Sequence, residues 1–346
     1  MNYLSTRGGI DPVVFSDAVV MGQARDGGLL VPERIPDMSD HRDAWSTLDY
    51  TGLVVEVMKP FVDIPAEKIE AIVRCSYETF DDPEVTPLRG VGPISILELF
   101  HGPTLAFKDL ALQFLGNLFS YVLGERGGEL NVLTATSGDT GSAAIQGIRG
   151  RERMRVFVMH PRGRISKLQE LQMTSVLDDN VHNLAIEGTF DDCQAIMKTI
   201  FGDLAFRDRH ALGSANSINW ARVLAQMVYY AYASLKIVRE TGASGVRMAV
   251  PTGNFGNIFA GYVCARMGLP IRKLVLATNE NDILSRFFNT GEYRSSRVKA
   301  TISPAMDIQV ASNFERYLYY RVGEDGDRVR DFMKGFSEER KLVLDL

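Results

Sequence analysis

Short apolar runs alternate with longer helix-like stretches from about residue 94 onward, and this alternation constrains the fold more than any other feature of the chain. The stretches between the runs are long enough to cross over a sheet as helices. Such a rhythm predicts an α/β fold built on parallel sheets with helices on both faces. The predicted strands, most of them rich in Val, Ile and Leu, are residues 94–99, 131–136, 155–160, 181–186, 246–251 and 273–278.

The longest helical pattern begins at Ser217, with Asn216 or Ser217 as the natural N-cap. Apolar residues recur at spacings of three and four and give this helix one apolar face, from which Arg222 lies well away. Before residue 94 the pattern is weaker. Helices are predicted there at residues 13–21, 53–61 and 66–75.

Charge and composition exclude several classes of protein. The 346 residues have a formal net charge of −5, which gives no support for binding to nucleic acid or to an anionic membrane. Cys75, Cys193 and Cys264 lie far apart and form no CxxC pair, so we expect reduced, mostly buried thiols in a cytoplasmic protein. No metal-binding motif occurs, no apolar run approaches the ~20 residues of a membrane span, and MNYLSTRGG is not expected to be a signal peptide.

Lys108 stands in LFHGPTLAFKD, residues 99–109, after a turn-rich elbow and just where a helical pattern begins. Its neighbours Leu105, Ala106 and Phe107 predict poor solvation, and the helix N-terminus adds positive potential. Both effects lower the pKa of a lysine and favour a neutral, nucleophilic amine. Such an amine is what Schiff-base chemistry with a carbonyl cofactor needs. The alternative is an ordinary surface lysine that opens a helix.

A loop for a singly charged anion is predicted at TATSGDTGS, residues 134–142. Its glycines allow the backbone amides to turn inward, and Thr136, Ser137 and Thr140 add hydroxyl donors. Asp139 would repel a dianion, so the loop suits a substrate carboxylate better than a phosphate. The simpler alternative is a strand-to-helix turn with Ser/Thr capping.

Two further segments suit phosphate groups. VPTGNFGN, residues 250–257, can offer consecutive amides with no acid between them. SANSINWAR, residues 214–222, combines an amide, a hydroxyl and a guanidinium near a helix N-terminus, although it could be an ordinary cap with a solvated arginine. The residues concerned are Gly253, Asn254, Phe255, Gly256 and Asn257 in the first segment, and Asn216, Ser217 and Arg222 in the second.

In combination these elements indicate one cofactor and one class of substrate. A poorly solvated lysine, two phosphate-type sites and one carboxylate-type site suit pyridoxal phosphate joined to the lysine. They also suit a substrate that has both a carboxylate and a phosphate, such as a phosphorylated amino acid.

The motifs, in this order, resemble those of threonine synthases, which are pyridoxal-phosphate enzymes of the tryptophan-synthase-β fold type (fold type II). The resemblance extends from STRGG near the N-terminus through HPRGRISKLQELQM to SPAMDI at residues 303–308, and so covers nearly the whole chain. It implies a carbon–oxygen lyase of threonine biosynthesis. This enzyme would convert O-phospho-L-homoserine and water to L-threonine and phosphate by β,γ-elimination and replacement.

The resemblance also implies a role for each site residue. Lys108 matches the lysine that forms the Schiff base and is the catalytic residue, and Asp139 lies in the loop against the pyridine ring. The cofactor phosphate is expected on the amides of residues 253–257. The substrate groups are expected at two sets of residues: the carboxylate at Thr136, Ser137 and Thr140, and the phosphate at Asn216, Ser217 and Arg222.

We expect two parallel-sheet domains with an N-terminal extension. Residues 93–126 and 244–346 would form a large domain that binds pyridoxal phosphate, and residues 127–243 a smaller α/β domain with the SGDTG loop. Residues 1–92 would form a mostly helical extension. Association into a homo-oligomer is left open.

The resemblance breaks at the C-terminus. Threonine synthases continue further and place a hydroxyl from a Thr-Ala-His-Pro type segment at the pyridine nitrogen, whereas this chain has no such segment and ends in EERKLVLDL without a helix stop signal. We therefore expect a shortened chain, with a naturally compact variant as the alternative. One alternative is a β-eliminating enzyme such as a Ser/Thr dehydratase, which NSINWAR disfavours because those substrates have no phosphate. The other is a catalytically silent module that binds pyridoxal phosphate.

Overall fold

The computed structural model describes residues 1–345, and its N-terminal part combines a small sheet with four helices. The sheet is antiparallel, in the order β2-β1-β3. The region predicted as a mostly helical extension therefore also contains strands. Its elements are β1 (Asn2–Ser5), β2 (Val13–Val14), α1 (Phe15–Met21), β3 (Leu30–Pro32), α2 (Arg42–Trp45), α3 (Tyr50–Met58) and α4 (Ala66–Tyr77).

An antiparallel hairpin replaces the first strand that was predicted for the parallel sheets, at residues 94–99. It consists of β4 (Leu88–Val91) and β5 (Ile94–Leu97). Gly92 adopts a φ of +58° in the two-residue turn, which is the geometry that tight hairpins require. The prediction of a parallel strand was wrong, because β5 pairs with β4 through this tight turn and not with a strand reached by a crossover helix.

The first parallel sheet has four strands in the order β8-β7-β6-β9. It confirms three predicted strands, with shifts of one residue at some ends. Helix α5, which begins at Lys108, precedes it. The elements are α5 (Lys108–Arg126), β6 (Leu130–Ala135), α6 (Asp139–Ile148), β7 (Met154–Pro161), α7 (Lys167–Thr174), β8 (Val181–Ile186), α8 (Phe190–Gly202), α9 (Leu204–Arg209) and β9 (Leu212–Gly213).

One long helix, α10 (Trp220–Thr241), is buried on all sides over its first sixteen residues and packs against α3 and α5. It begins three residues later than predicted. Its N-cap is Asn219, whose side chain accepts a hydrogen bond from the Ala221 amide at 3.1 Å and donates to Val19 O and Ser214 O. These two tertiary contacts explain why Asn219, rather than Asn216 or Ser217, caps the helix.

The second parallel sheet has two strands, β10 and β11, and confirms the last two predicted strands. An antiparallel pair of short strands, β12 and β13, lies in the same part of the chain. The remaining elements are β10 (Val246–Pro251), α11 (Gly256–Arg266), β11 (Ile271–Ala277), α12 (Ile283–Thr290), β12 (Glu292–Arg294), α13 (Phe314–Arg321), α14 (Gly326–Glu339) and β13 (Lys341–Val343).

The loops that follow β6 and β10 open onto one cleft of about 290 Å³. Ligands of parallel sheets bind beyond the carboxyl ends of the strands, so the fold places the predicted anion loops where such a site is expected. Within residues 1–345, no helix combines the length and apolarity that a membrane span requires.

Candidate active site

Lys108 is the first residue of α5, and a buried aspartate builds the elbow that leads to it. Asp109 is fully buried and accepts hydrogen bonds from the Thr104 amide at 2.8 Å and the Thr104 hydroxyl at 2.7 Å. This local cap fixes the chain direction at the helix start. Leu105 does not shield Lys108 as predicted, because it adopts a φ of +59° and is 67% exposed.

The Lys108 amine is held in a poorly hydrated position. Its side chain is 11% exposed, and Nζ donates a hydrogen bond to Asp139 Oδ1 at 2.6 Å. Burial lowers the pKa of Lys108 and outweighs the opposite effect of the Asp139 carboxylate. A lysine with a lowered pKa loses its proton more readily than an exposed one, as the sequence predicted, so the alternative of an ordinary surface lysine does not fit the structure.

A row of free backbone amides follows β10. No acceptor among residues 1–345 forms a hydrogen bond with the amides of residues 253–258. Phe255 is the N-cap of α11 and has a φ of +66°, which turns the chain sharply at the helix N-terminus. Consecutive amides at such a terminus are a binding site for a phosphate.

This amide row and Lys108 fit pyridoxal phosphate. A Cβ atom at Gly256 would lie 3.0 Å from Asn313 Nδ2, and one at Gly253 would lie 3.2 Å from Met306 Cα. Glycine at these positions therefore lets Asn313 and Met306 pack closely against the amide row and hold its shape. The cleft also holds a buried amine of lowered pKa for the aldehyde, so the cofactor's two reactive groups each have a partner.

The loop between β6 and α6 is shaped for a carboxylate. The Thr136 hydroxyl accepts hydrogen bonds from the Gly138 and Gly141 amides, both at 2.9 Å, so it holds the loop. The amides of Ser137, Asp139 and Thr140 have no acceptor among the described residues. Because the Asp139 side chain binds Lys108, its charge does not satisfy the loop amides.

Gly138 is required by this loop. Its φ of +144° is a conformation that side chains rarely adopt, and a Cβ atom there would lie 2.1 Å from Gln169 Oε1. Gln169 belongs to α7, so a side chain of this helix packs directly against Gly138 of the loop.

Arg222 is buried in the first turn of α10 rather than solvated. It is 2% exposed, Nη1 donates to Ala215 O at 2.8 Å, and Nε has no hydrogen-bond partner in the part of the chain that the structure describes. Burial lowers the pKa of Arg222 to about 10, and no carboxylate among residues 1–345 forms an ion pair with it. A buried guanidinium with an unused donor is a strong site for an anion.

Asn216 and Ser217 lie in the loop before α10, since Asn219 provides the cap. The Asn216 side chain accepts from the Thr134 hydroxyl at 2.7 Å and donates to Met197 Sδ at 2.9 Å. The hydroxyls of Ser217 and Ser312 are hydrogen-bonded at 2.9 Å. Both predicted phosphate residues therefore line the cleft.

The structure brings all but one of the predicted site residues to the wall of the cleft, and the exception, Asp139, binds Lys108. The Asn257 side-chain oxygen accepts from the Tyr229 and Tyr230 hydroxyls of α10, so these contacts fix the orientation of the side chain. Two of the three cysteines are buried as expected, whereas Cys75 is exposed.

The sequence analysis missed a segment that joins the two phosphate-type sites. Asn313 Nδ2 donates to Ser217 O at 3.1 Å and to Asn254 O at 3.2 Å, and the Ser312 hydroxyl donates to Asn254 Oδ1 at 3.2 Å. The only sequence signal was the polar pair directly before α13. The cleft walls formed by α8 and by Arg7 with Glu315 were missed as well.

Comparison with known proteins identifies the family. A family profile described as "Threonine synthase N terminus" matches residues 2–77, and one described as "Pyridoxal-phosphate dependent enzyme" matches residues 83–346. Threonine synthase from Schizosaccharomyces pombe is 50% identical over 344 residues, which cover 92% of this chain and 67% of that protein. Threonine synthase from Pseudomonas aeruginosa is 46% identical over 351 residues, which cover 100% of this chain and 74% of that protein.

A solved structure has the same fold. The crystal structure of PLP-bound threonine synthase from Brucella melitensis matches with a TM-score of 0.93 at 46% identity, covering 100% of this chain and 75% of that chain. The predicted fold type, pyridoxal phosphate as cofactor and threonine synthase function are confirmed by these matches. The chain therefore belongs to the threonine synthase family of pyridoxal-phosphate-dependent enzymes.

Proposed function

We propose that this chain converts O-phospho-L-homoserine and water to L-threonine and phosphate, with Lys108 as the proton-transfer group. One observation supports this most strongly: a single cleft contains a buried lysine, a carboxylate-type loop and two separate phosphate-type sites. One phosphate-type site suits the cofactor and leaves the other for a phosphorylated substrate.

Lys108 moves the protons. Pyridoxal phosphate, when bound, supplies an electron sink that acidifies the hydrogens on Cα and Cβ of the substrate. Because its pKa is lowered, Lys108 gives up its own proton readily, and its free Nζ can take the Cα proton. Nζ must release that proton before it takes a Cβ proton, which the Lys108 ammonium then gives to Cγ after phosphate has left. Water supplies the hydroxyl at Cβ. Of the two remaining protons, one returns to Cα and the other stays with the released phosphate.

The loop between β6 and α6 holds the substrate carboxylate. The amides of Ser137, Asp139 and Thr140 have no acceptor within residues 1–345, and the N-terminus of α6 favours a negative charge. A single negative charge is tolerated beside Asp139 because that side chain is bound to Lys108. The Thr136 hydroxyl keeps the loop in the binding conformation.

The segment before α10 holds the substrate phosphate. Arg222, Asn216 and Ser217 supply a guanidinium, an amide and a hydroxyl along one wall of the cleft. Because the guanidinium is buried, its attraction to the charge that develops on the leaving phosphate is weakly screened by water. Arg222 therefore stabilises the transition state for loss of phosphate more than it stabilises the bound substrate.

A substrate comparison tests this proposal. The purified chain with pyridoxal phosphate is given O-phospho-L-homoserine, L-serine or L-threonine, and both phosphate and 2-keto acid are measured. Phosphate and L-threonine from the first substrate, with no keto acid from the others, are expected. Keto acid from serine or threonine without phosphate release would assign the chain to the dehydratases instead. The domain division and the cytoplasmic location inferred from the sequence stay predictions.

A further inference from the structure

One wall of the cleft has no part in the reaction described above. It is formed by α8, whose Phe190, Cys193 and Met197 pack against the four-stranded sheet. The next face of the helix presents Gln194 and Lys198, which are one turn apart and both line the cleft. A polar amide and a cation thus stand on a helix face that the sheet does not cover.

The charges of the cleft are unevenly paired. Four cationic side chains line it: Arg7, Lys108, Lys198 and Arg222. Arg7 is paired with Glu315 at 2.8 Å and Lys108 with Asp139 at 2.6 Å. Within residues 1–345, neither Lys198 nor Arg222 has a carboxylate within ion-pair distance. Two cations are therefore available to an added anion.

A phosphate monoester needs more than the one charge that Arg222 supplies. It has a charge of about −1.5 to −2 at pH 7, since its second pKa is about 6. Arg222 alone would leave the bound group negative in a cleft that also receives the cofactor phosphate and a carboxylate. A second uncompensated cation would balance it.

Helix α8 is in contact with the segment that holds the substrate phosphate. Met197 Sδ accepts a hydrogen bond from Asn216 Nδ2 at 2.9 Å, and Lys198 is the next residue. We propose that Lys198 is a second cationic contact of the substrate phosphate, acting together with Arg222. This inference rests on the proposed function, and it assigns to α8 the selection of phosphorylated over unphosphorylated amino acids.

Because Lys198 is exposed, its contact with the phosphate should depend on salt concentration. Lys198 is exposed, whereas Arg222 is buried. Ions in solution screen an exposed charge far more than a buried one. The contribution of Lys198 to phosphate affinity should therefore decrease as ionic strength rises, whereas the contribution of Arg222 should change little.

The test uses the holoenzyme, in which the cofactor already fills its own phosphate site. Lys198→Gln is compared with Lys198→Arg and with Lys334→Gln, a control at an exposed lysine of α14 that has no ion pair and does not line the cleft. The KM for O-phospho-L-homoserine and the affinity for inorganic phosphate, measured by calorimetry, are determined at low and at high salt.

We expect Lys198→Gln to raise the KM and weaken phosphate binding by about tenfold at low salt, the effect of one charge-assisted contact. For Lys198→Arg, the KM and the phosphate affinity should stay within about threefold of the parent values. The difference between Lys198→Gln and the parent should shrink at high salt. Equal values for Lys198→Gln and Lys334→Gln would overturn the proposal. If the parent releases no phosphate from O-phospho-L-homoserine, the proposed function fails, but inorganic-phosphate binding still decides the role of Lys198.

Discussion

Replacing Arg222 by methionine should make the protein more stable and nearly inactive. The buried guanidinium has a pKa lowered to about 10, and at pH 7 it is charged in both the folded and the unfolded state. This lowering of the pKa corresponds to about 3 kcal/mol against the charged form in the folded protein, because one pKa unit is about 1.4 kcal/mol. Methionine removes this cost.

The gain is reduced by one lost hydrogen bond. Without Arg222, the Ala215 carbonyl has no donor at that position, which costs about 1–2 kcal/mol. The net stabilisation is therefore about 1–2 kcal/mol, or a Tm higher by about 1–3 °C. It should shrink as the pH rises above about 10, where the arginine of the folded parent loses its proton.

The same substitution should lower the activity although it raises the stability. Two charge-assisted hydrogen bonds to a phosphate contribute about 3–5 kcal/mol, so kcat/KM should fall by about 10²–10⁴-fold. Because negative charge builds up on the leaving phosphate, kcat should fall as well as the affinity. Phosphate release measures both, and thermal unfolding of the holoenzyme measures the Tm.

Arg151→Met is the matched control, since Arg151 donates to Gly147 O at 2.6 Å and to Asn117 Oδ1 at 2.7 Å but does not line the cleft. It should lower the Tm and leave kcat/KM within about twofold, because its contacts are structural. A lower Tm for Arg222→Met with unchanged kcat would show that Arg222 is structural. A raised KM with unchanged kcat would refute its role in the transition state.

Three further substitutions test the remaining parts of the site. Gly256→Ala should weaken pyridoxal phosphate binding about tenfold in an absorbance titration, because the added Cβ would lie 3.0 Å from Asn313 Nδ2. The control is Gly335→Ala on α14, where the added Cβ meets no atom of residues 1–345 within 4 Å, so the affinity should not change. Thr136→Val should lower the free energy of unfolding by about 2 kcal/mol in urea, because the Gly138 and Gly141 amides lose their acceptor; equal stability of this variant and Thr136→Ser would contradict that role. Asp139→Asn should lower the pKa of Lys108 further, because the carboxylate that favours the ammonium is lost. Covalent attachment of pyridoxal phosphate to the apoenzyme, trapped with borohydride, should then reach half its maximum at lower pH. A shift to higher pH would be inconsistent with the ion pair.

The local patterns of the chain predict much of the fold. Strands β6, β7, β8, β10 and β11 lie within two residues of their predicted bounds, because each is an apolar run bounded by a turn. The hairpin at residues 88–97 was misassigned because an apolar run does not reveal whether its partner is parallel or antiparallel. The later start of α10 depends on Val19 and Ser214, whose contacts with Asn219 are tertiary.

The site shows the same division between local and distant contacts. The strand–loop–helix motifs predict the anion loops, since glycines and hydroxyls are needed locally. The burial of Arg222 and the exposure of Leu105 could not be derived from spacing, because both depend on what packs around them. Asn313, the N-cap of α13, bonds to Ser217 and Asn254, and Lys198 lines the cleft from α8. Both depend on parts of the chain that are distant in sequence from the predicted motifs.

Formation of L-threonine from O-phospho-L-homoserine, by the purified chain with pyridoxal phosphate, tests the central claim most directly. Threonine and phosphate are measured together, with Lys108→Ala as the control. Equal amounts of both products from the parent and neither from Lys108→Ala are predicted, because the proposed mechanism requires Lys108 for the proton transfers at Cα, Cβ and Cγ. A parent chain that binds the cofactor but forms no threonine, or a Lys108→Ala variant that remains active, would contradict the account.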